Sequence, residues 1–243
     1  EEREFDVLVV ANGHHWKPRW PDYPGELSAR YMHSHDFKRA EPFHDERVLV
    51  IGGGVVGQNA AAIAYGMGAH VVIMDIDNEQ MRHLGEIMPR QLITVYSGPQ
   101  AIREYVGWAD LVIGAVLVPG AEAPKLIRRE HLATMRPGSV IVDVAIDQGG
   151  CAETSRITTH TDPVYEVEGV SHYCVGNMPG AVARTSTWAL TNATLPWIVR
   201  LADAGVDRLA DAEAGFRDAI NARGGVLHNA PVAEAHGLEH RPY

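Results

Sequence analysis

The chain has 243 residues, 46% of them apolar, which supplies a core for one large α/β domain or two small ones and excludes disorder, collagen and coiled coil. Its 21 Lys and Arg residues stand against 31 Asp and Glu residues, and the resulting net charge of −10 opposes non-specific nucleic-acid binding, so we expect no nucleic-acid partner. The sequence has no apolar run long enough to span a membrane and only two cysteines, so we expect no membrane association, no disulfide framework and a cytoplasmic location.

The first 46 residues differ in composition from the rest of the chain. The apolar run Phe5–Ala11 ends at Asn12-Gly13, which predicts a strand that is stopped by a turn. The proline- and histidine-rich stretch over residues 16–45 predicts an ordered loop. The pairs His14-His15 and His33-Ser34-His35 are not joined by a third group with helical metal-ligand spacing, so we predict no metal site.

From Arg47 onward, short apolar segments alternate with helical ones, which is typical of βαβ units and predicts a doubly wound parallel sheet of the Rossmann type. The predicted strands are Arg47–Gly52, His70–Asp75, Leu92–Tyr96, Leu111–Ala115 and Val140–Ile146. The predicted helices are Val55–Met67, Asn78–Glu86, Pro99–Tyr105 and Arg129–Met135. A longer helix is predicted over Arg184–Ala204, with a kink at Pro196.

A glycine motif follows the first of these strands. Val48–Ile51 leads into Gly52-Gly53-Gly54-Val55-Val56-Gly57 and then into an alanine-rich helix, which is the context of a G-x-G-x-x-G dinucleotide fingerprint. Gly52 permits the tight turn, Gly54 lets backbone amides approach a pyrophosphate, and Gly57 lets the helix lie close to the strand.

An acidic residue stands where this motif needs one. Asp75 ends the next strand 18 residues after Gly57, at the position of a ribose-binding carboxylate. Asp75 and the nearby Asp77 would repel a 2′-phosphate, so we predict NAD rather than NADP. The alternative is that the glycines serve only a tight turn and that Asp75 caps a helix.

Ligands of open parallel sheets lie across the carboxyl ends of the strands, so the residues that follow each strand are candidates for the site. Ser97 follows the third predicted strand, Val116 and Leu117 follow the fourth, and Asp147 ends the fifth. Asp147 precedes Gln148-Gly149-Gly150, a glycine turn that would present its carboxylate to the crevice of the nicotinamide ring. The pattern alone fits equally well with an Asp147 that caps the following turn.

From Arg47 to about Leu238 the chain resembles alanine dehydrogenase and the related transhydrogenase subunit. The motifs that carry the resemblance lie at residues 50–57, 110–120, 123–126, 138–150, 151–156, 173–180, 185–187 and 189–196, among them Tyr-Cys-Val-Gly-Asn-Met-Pro-Gly at 173–180. The resemblance implies a homo-oligomer that interconverts L-alanine with pyruvate and ammonia, with NAD as the cofactor.

The resemblance also implies site residues. Asp147 matches the catalytic aspartate of the family, and Gln80 stands where some members carry a basic residue near the adenosine ribose. Together with the glycine motif, the implied NAD site consists of Gly52, Gly54, Val55, Val56, Gly57, Asp75, Ser97, Val116, Leu117, Val144, Ala145, Ile146, Asp147, Val175, Gly176, Asn177 and Met178.

Residues 1–46 resemble a different family, the flavin-containing monooxygenases just before their second dinucleotide motif. Phe5 to Trp16 and the Pro42-Phe43 pair carry this resemblance, and a join within residues 47–54 indicates a chimera. We therefore predict a monooxygenase-like segment over 1–46, an NAD-binding domain over 47–183, and C-terminal helices over 184–243 that belong to an incomplete substrate domain.

Three functions remain open on this evidence. The first is an NAD-dependent alanine dehydrogenase. The second is a catalytically silent NAD-binding module, because the catalytic His and the substrate-binding Lys and Arg that the family supplies from its substrate domain have no counterpart here. The third is a flavin-dependent monooxygenase, which would need an FAD motif of its own. Cys151 lies beside the expected crevice, but no His and Asn partners accompany it, and we interpret it as structural.

Overall fold

The computed structural model describes residues 44–243. The predicted strand Phe5–Ala11, the histidine pairs and nearly all of the predicted loop lie outside these residues. Within them the chain divides into two compact units. The first unit comprises the described residues up to Leu117 together with Ala123–Met178, and the second comprises Val118–Glu122 and Pro179–Tyr243.

The first unit is built on a seven-stranded sheet. Its strands are β1 (Arg47–Ile51), β2 (His70–Asp75), β3 (Ile93–Tyr96), β4 (Leu111–Gly114), β5 (Val140–Asp143), β6 (Val164–Val167) and β7 (Val170–Tyr173). Their order in the sheet is β3-β2-β1-β4-β5-β7-β6, and every neighbouring pair is parallel except the edge pair β6–β7. The predicted doubly wound α/β fold is confirmed.

Four helices connect the parallel strands of this unit: α1 (Val55–Gly66), α2 (Asn78–Ile87), α3 (Pro99–Trp108) and α4 (Arg129–Leu132). The helix α3 begins at Pro99, where the sequence predicted its start, and Gly98 is its N-cap residue. Proline suits this position because it lacks the amide hydrogen that would be unpaired there. The predicted helix Arg129–Met135 is shorter than expected, since α4 ends at Leu132.

Successive strand residues point to opposite faces of the sheet, and helices cover both faces. Leu49 and Ile51 pack in one cluster with Val72 and Met74, against side chains of α3 and α4. Val48 and Val50 pack in a second cluster against side chains of α1 and α2. The apolar strands are therefore covered on both faces of the sheet. The ends of the strands are where a ligand can approach it.

One predicted strand was too long, and one strand pair was missed. The expected strand Val140–Ile146 stops at Asp143, and Val144–Gln148 forms a 3-10 helix because the Asp143 side chain accepts a hydrogen bond from the N–H of Ala145. The hairpin of β6 and β7 was not predicted at all. Its turn at Glu168-Gly169 has positive φ at both residues, the geometry that suits a two-residue hairpin loop.

The second unit consists of α5 (Ala183–Ala204), α6 (Val206–Ala212), α7 (Ala214–Asp218), the short strands β8 (Ala222–Arg223) and β9 (Val226–Leu227), and α8 (Ala230–Ala235). The long predicted helix is present and continues past Pro196. None of the helices within residues 44–243 combines the length and the apolar composition that a membrane crossing requires.

Candidate functional site

The strand order reverses at β1, which lies between β2 and β4, so a crevice opens beyond the carboxyl ends of β1 and β4. The glycine loop that follows β1 lines this crevice. Gly52 has φ of +106°, and a Cβ added there would lie 2.5 Å from the carbonyl oxygen of Ala115. A Cβ on Gly57 would collide with the carbonyl oxygen of Gly52. The fold of the loop itself therefore requires both glycines.

Gly54 is different, because the protein gives no reason for the missing side chain. Its φ of −67° is available to any residue, and a Cβ added there would meet no atom within 4 Å in the part of the chain that the structure describes. The next two residues, Val55 and Val56, begin α1 and are 76% and 50% exposed. Space is thus left in front of the helix N-terminus, where backbone amides can approach a phosphate. These residues fit a dinucleotide.

Three side chains hold the peptide groups of Gly53. Its N–H donates to Asp75 Oδ2 at 2.6 Å, and its carbonyl oxygen accepts hydrogen bonds from the side-chain amides of Gln58, at 3.0 Å, and Gln80. Gln80, which the resemblance singled out, therefore holds the glycine loop in place. Sequence spacing could not indicate this role, because Gln80 lies 27 residues from Gly53.

Asp75 is not the helix cap that the alternative interpretation proposed. Asp77 caps α2 by accepting hydrogen bonds from the N–H groups of Glu79 and Gln80. The second oxygen of Asp75 accepts from the N–H of Asp77 at 2.9 Å. Asp75 is half-buried at the end of β2 and faces the glycine loop, where a ribose could reach it.

A cleft of about 220 Å³ lies beside the glycine loop. It is lined by Val56, Ala115, Val116, Leu117, Val144, Ala145, Asp147 and Gln148. Leu117 is 72% exposed, whereas Ala145 and Ile146 are buried. The cleft is therefore lined mainly by apolar side chains, and Asp147 supplies a carboxylate to its wall. This composition suits a flat aromatic ring that reacts next to a polar group.

Asp147 lies in the 3-10 helix Val144–Gln148 and does not cap the turn that follows it. Its side chain is exposed, and the N–H of Asn177 donates to Oδ1 at 3.1 Å and to Oδ2 at 3.3 Å. The predicted residues Val175 to Met178 thus come next to Asp147, although Val175 itself is buried. This arrangement leaves Asp147 accessible from the cleft.

The cap of the 3-10 helix is Asp143, which the sequence reasoning missed. Its carboxylate is fully buried and accepts hydrogen bonds from the N–H groups of Ala145, Cys151 and Ala152 and from the hydroxyl of Ser155. Lys125 adds a second constraint, because its ammonium donates to the carbonyl oxygens of Gly149 and Gly150. The segment that presents Asp147 is therefore fixed at both ends.

Ser97 follows β3, as predicted, and its N–H donates to the carbonyl oxygen of Asp75 at 2.9 Å. It belongs to the Asp75 side of the crevice rather than to the cleft beside Asp147. The predicted residues thus form two groups, one around the glycine loop with Asp75 and Ser97 and one around Asp147.

The two cysteines are free and buried, and neither offers a reactive thiolate. Burial and the neighbouring Asp143 carboxylate raise the pKa of the Cys151 thiol well above its usual range, and burial also raises the pKa of Cys174. Both thiols stay protonated at neutral pH. Within residues 44–243 no three His, Cys, Asp or Glu side chains are grouped in a way that could hold a metal ion.

Comparison with known proteins agrees with this geometry. The family described as alanine dehydrogenase/PNT, C-terminal domain, matches residues 41–230, and a flavin-binding monooxygenase-like family matches residues 1–80. The alanine dehydrogenase of Halomonas elongata is 56% identical over 194 residues, and that of Bacillus subtilis strain 168 is 51% identical over 198 residues. These matches cover 80% and 81% of this chain, respectively, and 52% of each relative.

A solved L-alanine dehydrogenase superimposes with a TM-score of 0.71 at 45% identity, covering 80% of this chain and 54% of the other. The chain thus spans about half the length of the relatives that it matches. Its glycine loop, its parallel sheet and the segment that carries Asp147 all fall within the matched region. The chain belongs to the alanine dehydrogenase/PNT C-terminal domain family.

Proposed function

We propose that this chain carries the NAD-binding half of an alanine dehydrogenase, in which L-alanine, NAD⁺ and water yield pyruvate, ammonium, NADH and a proton. The observation that carries this proposal is the convergence of a glycine loop, a carboxylate at the end of β2 and an apolar cleft with a second carboxylate at one crevice of the sheet. A bound NAD⁺ would supply the hydride acceptor. The chain's own residues would hold and orient it.

The proposed cofactor contacts follow the two groups of residues. The first amides of α1 would hold the phosphates, because the open space at Gly54 admits them. Asp75 would accept hydrogen bonds from the adenosine ribose, and its negative charge would disfavour a 2′-phosphate. The position of the Asp75 carboxylate at the adenosine ribose supports NAD rather than NADP as the cofactor.

We assign Asp147 as the catalytic carboxylate. Its side chain lines the cleft in which the nicotinamide ring would lie, and the Asn177 N–H holds it in place. A carboxylate at that position can accept a hydrogen bond from a substrate or a water molecule and can assist proton movement during hydride transfer. The cleft wall of Val116 and Leu117 would exclude water from one side of the ring.

Residues 184–243 would belong to the substrate domain, as the resemblance implies. The helix α5 supports this assignment, because it exposes large apolar side chains that a surface helix normally buries. Trp188 is 66% exposed, Leu190 is 65% exposed and Ile198 is 58% exposed. We infer that an N-terminal segment of the kind that the relatives carry outside the matched region covers this helix.

The test supplies a segment of that kind. Residues 47–243 are fused behind the N-terminal half of the Halomonas elongata alanine dehydrogenase, and NADH formation from L-alanine is followed by absorbance. We expect turnover in the fusion and its loss, by a factor of about 10² or more, in Asp147→Asn. A fusion that folds and binds NAD⁺ but forms no NADH would contradict the proposed activity.

A catalytically silent NAD-binding module is the second candidate, favoured by the fact that the matched region covers only 52% of each relative. No histidine is among the described residues that line the cleft, and a carboxylate alone is poorly matched to proton transfer at pH 7, a deficit of typically ~10²–10⁴ in rate. For the 243-residue chain alone we therefore expect NAD binding with turnover near background. Rapid NADH formation from L-alanine by the chain itself would contradict this expectation.

A further inference from the structure

His160, a histidine that none of the sequence motifs includes, contacts the residue that holds Asp147. His160 is exposed on the loop between β5 and β6, and its Nε2 lies 3.1 Å from the carbonyl oxygen of Asn177. A carbonyl oxygen can only accept, so the imidazole N–H donates in this contact. The N–H of the same Asn177 donates to the Asp147 carboxylate. His160 and Asp147 are therefore linked through the backbone of one residue.

That residue has an uncommon backbone conformation. Asn177 has φ of +52°, in the left-handed region that is uncommon for residues other than glycine, although asparagine adopts it more readily than most. Its preceding peptide is held by Asp147 and its following peptide by His160. Loss of the His160 contact would remove the hydrogen bond that holds the carbonyl side of this residue.

The loop that carries His160 is itself anchored. The N–H of Thr158 donates to the carbonyl oxygen of Cys174 at 2.9 Å, and the N–H of Gly176 donates to the carbonyl oxygen of Thr158 at 3.1 Å. The Thr158 side chain is buried and donates to the carbonyl oxygen of Pro163 at 3.0 Å. His160 therefore extends from a fixed base toward Asn177, and its exposed ring can be changed without opening the core.

We propose that His160 is a positioning residue for the nicotinamide end of the site, acting on Asp147 through Asn177; this inference rests on the proposed NAD-binding function. Within the described residues, the hydrogen bond of His160 reaches Asn177, whereas the hydrogen bonds of Asp75 reach the glycine loop and Asp77. Removal of His160 should therefore affect ligands that carry a nicotinamide and spare those that end at the second ribose.

The test compares NADH with ADP-ribose by calorimetry on the full chain. His160→Ala should weaken NADH binding about three- to tenfold, the range that one neutral hydrogen bond accounts for, and leave ADP-ribose binding within about twofold. His160→Gln, which places an amide N–H near the position of Nε2, should restore NADH binding. His240→Ala, at another exposed histidine, serves as the matched control and should change neither ligand.

Two further readouts separate positioning from general damage. In an Asp147→Ala background, His160→Ala should have no additional effect on NADH, because the two residues act in one chain of contacts. With asparagine-selective ¹⁵N labelling and no ligand, the Asn177 amide resonance should shift in His160→Ala and return in His160→Gln. A thermal midpoint that falls together with affinity for both ligands would instead show a merely structural role and overturn the inference.

The remaining outcomes are distinct. If the unmodified chain binds both ligands and His160→Ala binds NADH as tightly as before, the inference fails while the proposed function stands. If the unmodified chain binds neither NADH nor ADP-ribose, the proposed function fails, and the inference that rests on it fails as well.

Discussion

The backbone N–H of Gly53 donates to Oδ2 of Asp75 at 2.6 Å, so the glycine loop is tied to the carboxyl end of the neighbouring strand β2. The other oxygen of the same carboxylate accepts from the N–H of Asp77. A carboxylate has about four lone-pair sites, and these two hydrogen bonds leave capacity for a ligand hydroxyl. Asp75 can therefore order the loop and contact a ribose at the same time.

This dual role predicts the effect of Asp75→Ala. The change removes charge-assisted hydrogen bonds, so NAD affinity should fall by roughly 1.5–3 kcal/mol, about ten- to a hundredfold. The preference for NAD over NADP should shrink as well, because the repulsion of the 2′-phosphate is lost. Calorimetry with both cofactors measures the two effects, and Asp203→Ala, the same change on exposed α5, is the control. Equal binding of NAD and NADP by the unmodified chain would contradict the argument.

Gly54 and Gly57 form a matched pair for separating ligand binding from folding. Gly57→Ala places a methyl group against the carbonyl oxygen of Gly52, so it should lower the free energy of unfolding by about 1–3 kcal/mol, the usual cost of overpacking. Gly54→Ala meets open space and should leave stability within about 0.5 kcal/mol. Its methyl group would instead obstruct the phosphates and weaken NAD at least tenfold. Denaturant titration and calorimetry on both variants check this contrast, which is lost if Gly54→Ala binds NAD normally.

The strands and helices around the glycine motif could be predicted from the sequence, because each apolar run there is bounded by a strong turn signal. The strand Val140–Asp143 shows where this reasoning fails. The apolar run continues through Val144-Ala145-Ile146, and only the buried side chain of Asp143, which accepts from the N–H of Ala145, turns those residues into a 3-10 helix. Such a tertiary contact has no local signature.

The candidate site was partly predictable for the same reason. The motif and strand ends located Asp75 and Asp147, since the topology of a parallel sheet brings its carboxyl ends together. The partners of these residues were not predictable from spacing. Asn177 lies 30 residues from Asp147, and Gln80 lies 27 residues from Gly53. Only the folded arrangement shows which backbone groups these side chains hold.

Asp143 should be among the residues on which the stability of the first unit depends most. Its buried carboxylate satisfies three backbone N–H groups and the Ser155 hydroxyl, and Asp143→Ala leaves these donors without a partner. We expect a loss of about 3–5 kcal/mol in the free energy of unfolding. Asp147→Ala, which removes an exposed carboxylate four residues later, should cost about 1 kcal/mol or less. Similar denaturant midpoints for the two variants would contradict this assignment.

The burial of His172 should make the stability of the folded chain depend on pH. The buried His172 ring donates Nδ1–H to the carbonyl oxygen of Val170 at 2.9 Å, and its Nε2 lies 2.8 Å from the hydroxyl of Thr154, which donates to Nε2 when the ring is neutral. Burial lowers the pKa of His172, and burial likewise lowers the pKa of His131. The unfolded chain protonates each histidine near pH 6.5, whereas the folded chain resists protonation until a lower pH.

The sign follows from that difference. Just below pH 6.5 the unfolded chain binds more protons than the folded chain, so this contribution to stability is complete above about pH 6.5 and is lost as the pH falls toward the pKa values of the folded state. Each histidine can contribute a slope of at most about 1.4 kcal/mol per pH unit. His172→Gln should reduce the slope of unfolding free energy between pH 5 and pH 6.5, and a further His131→Gln should reduce it again. Denaturant titrations across this range measure the slope, and a slope that His172→Gln leaves unchanged would mean that the folded chain accommodates the protonated ring as readily as water does.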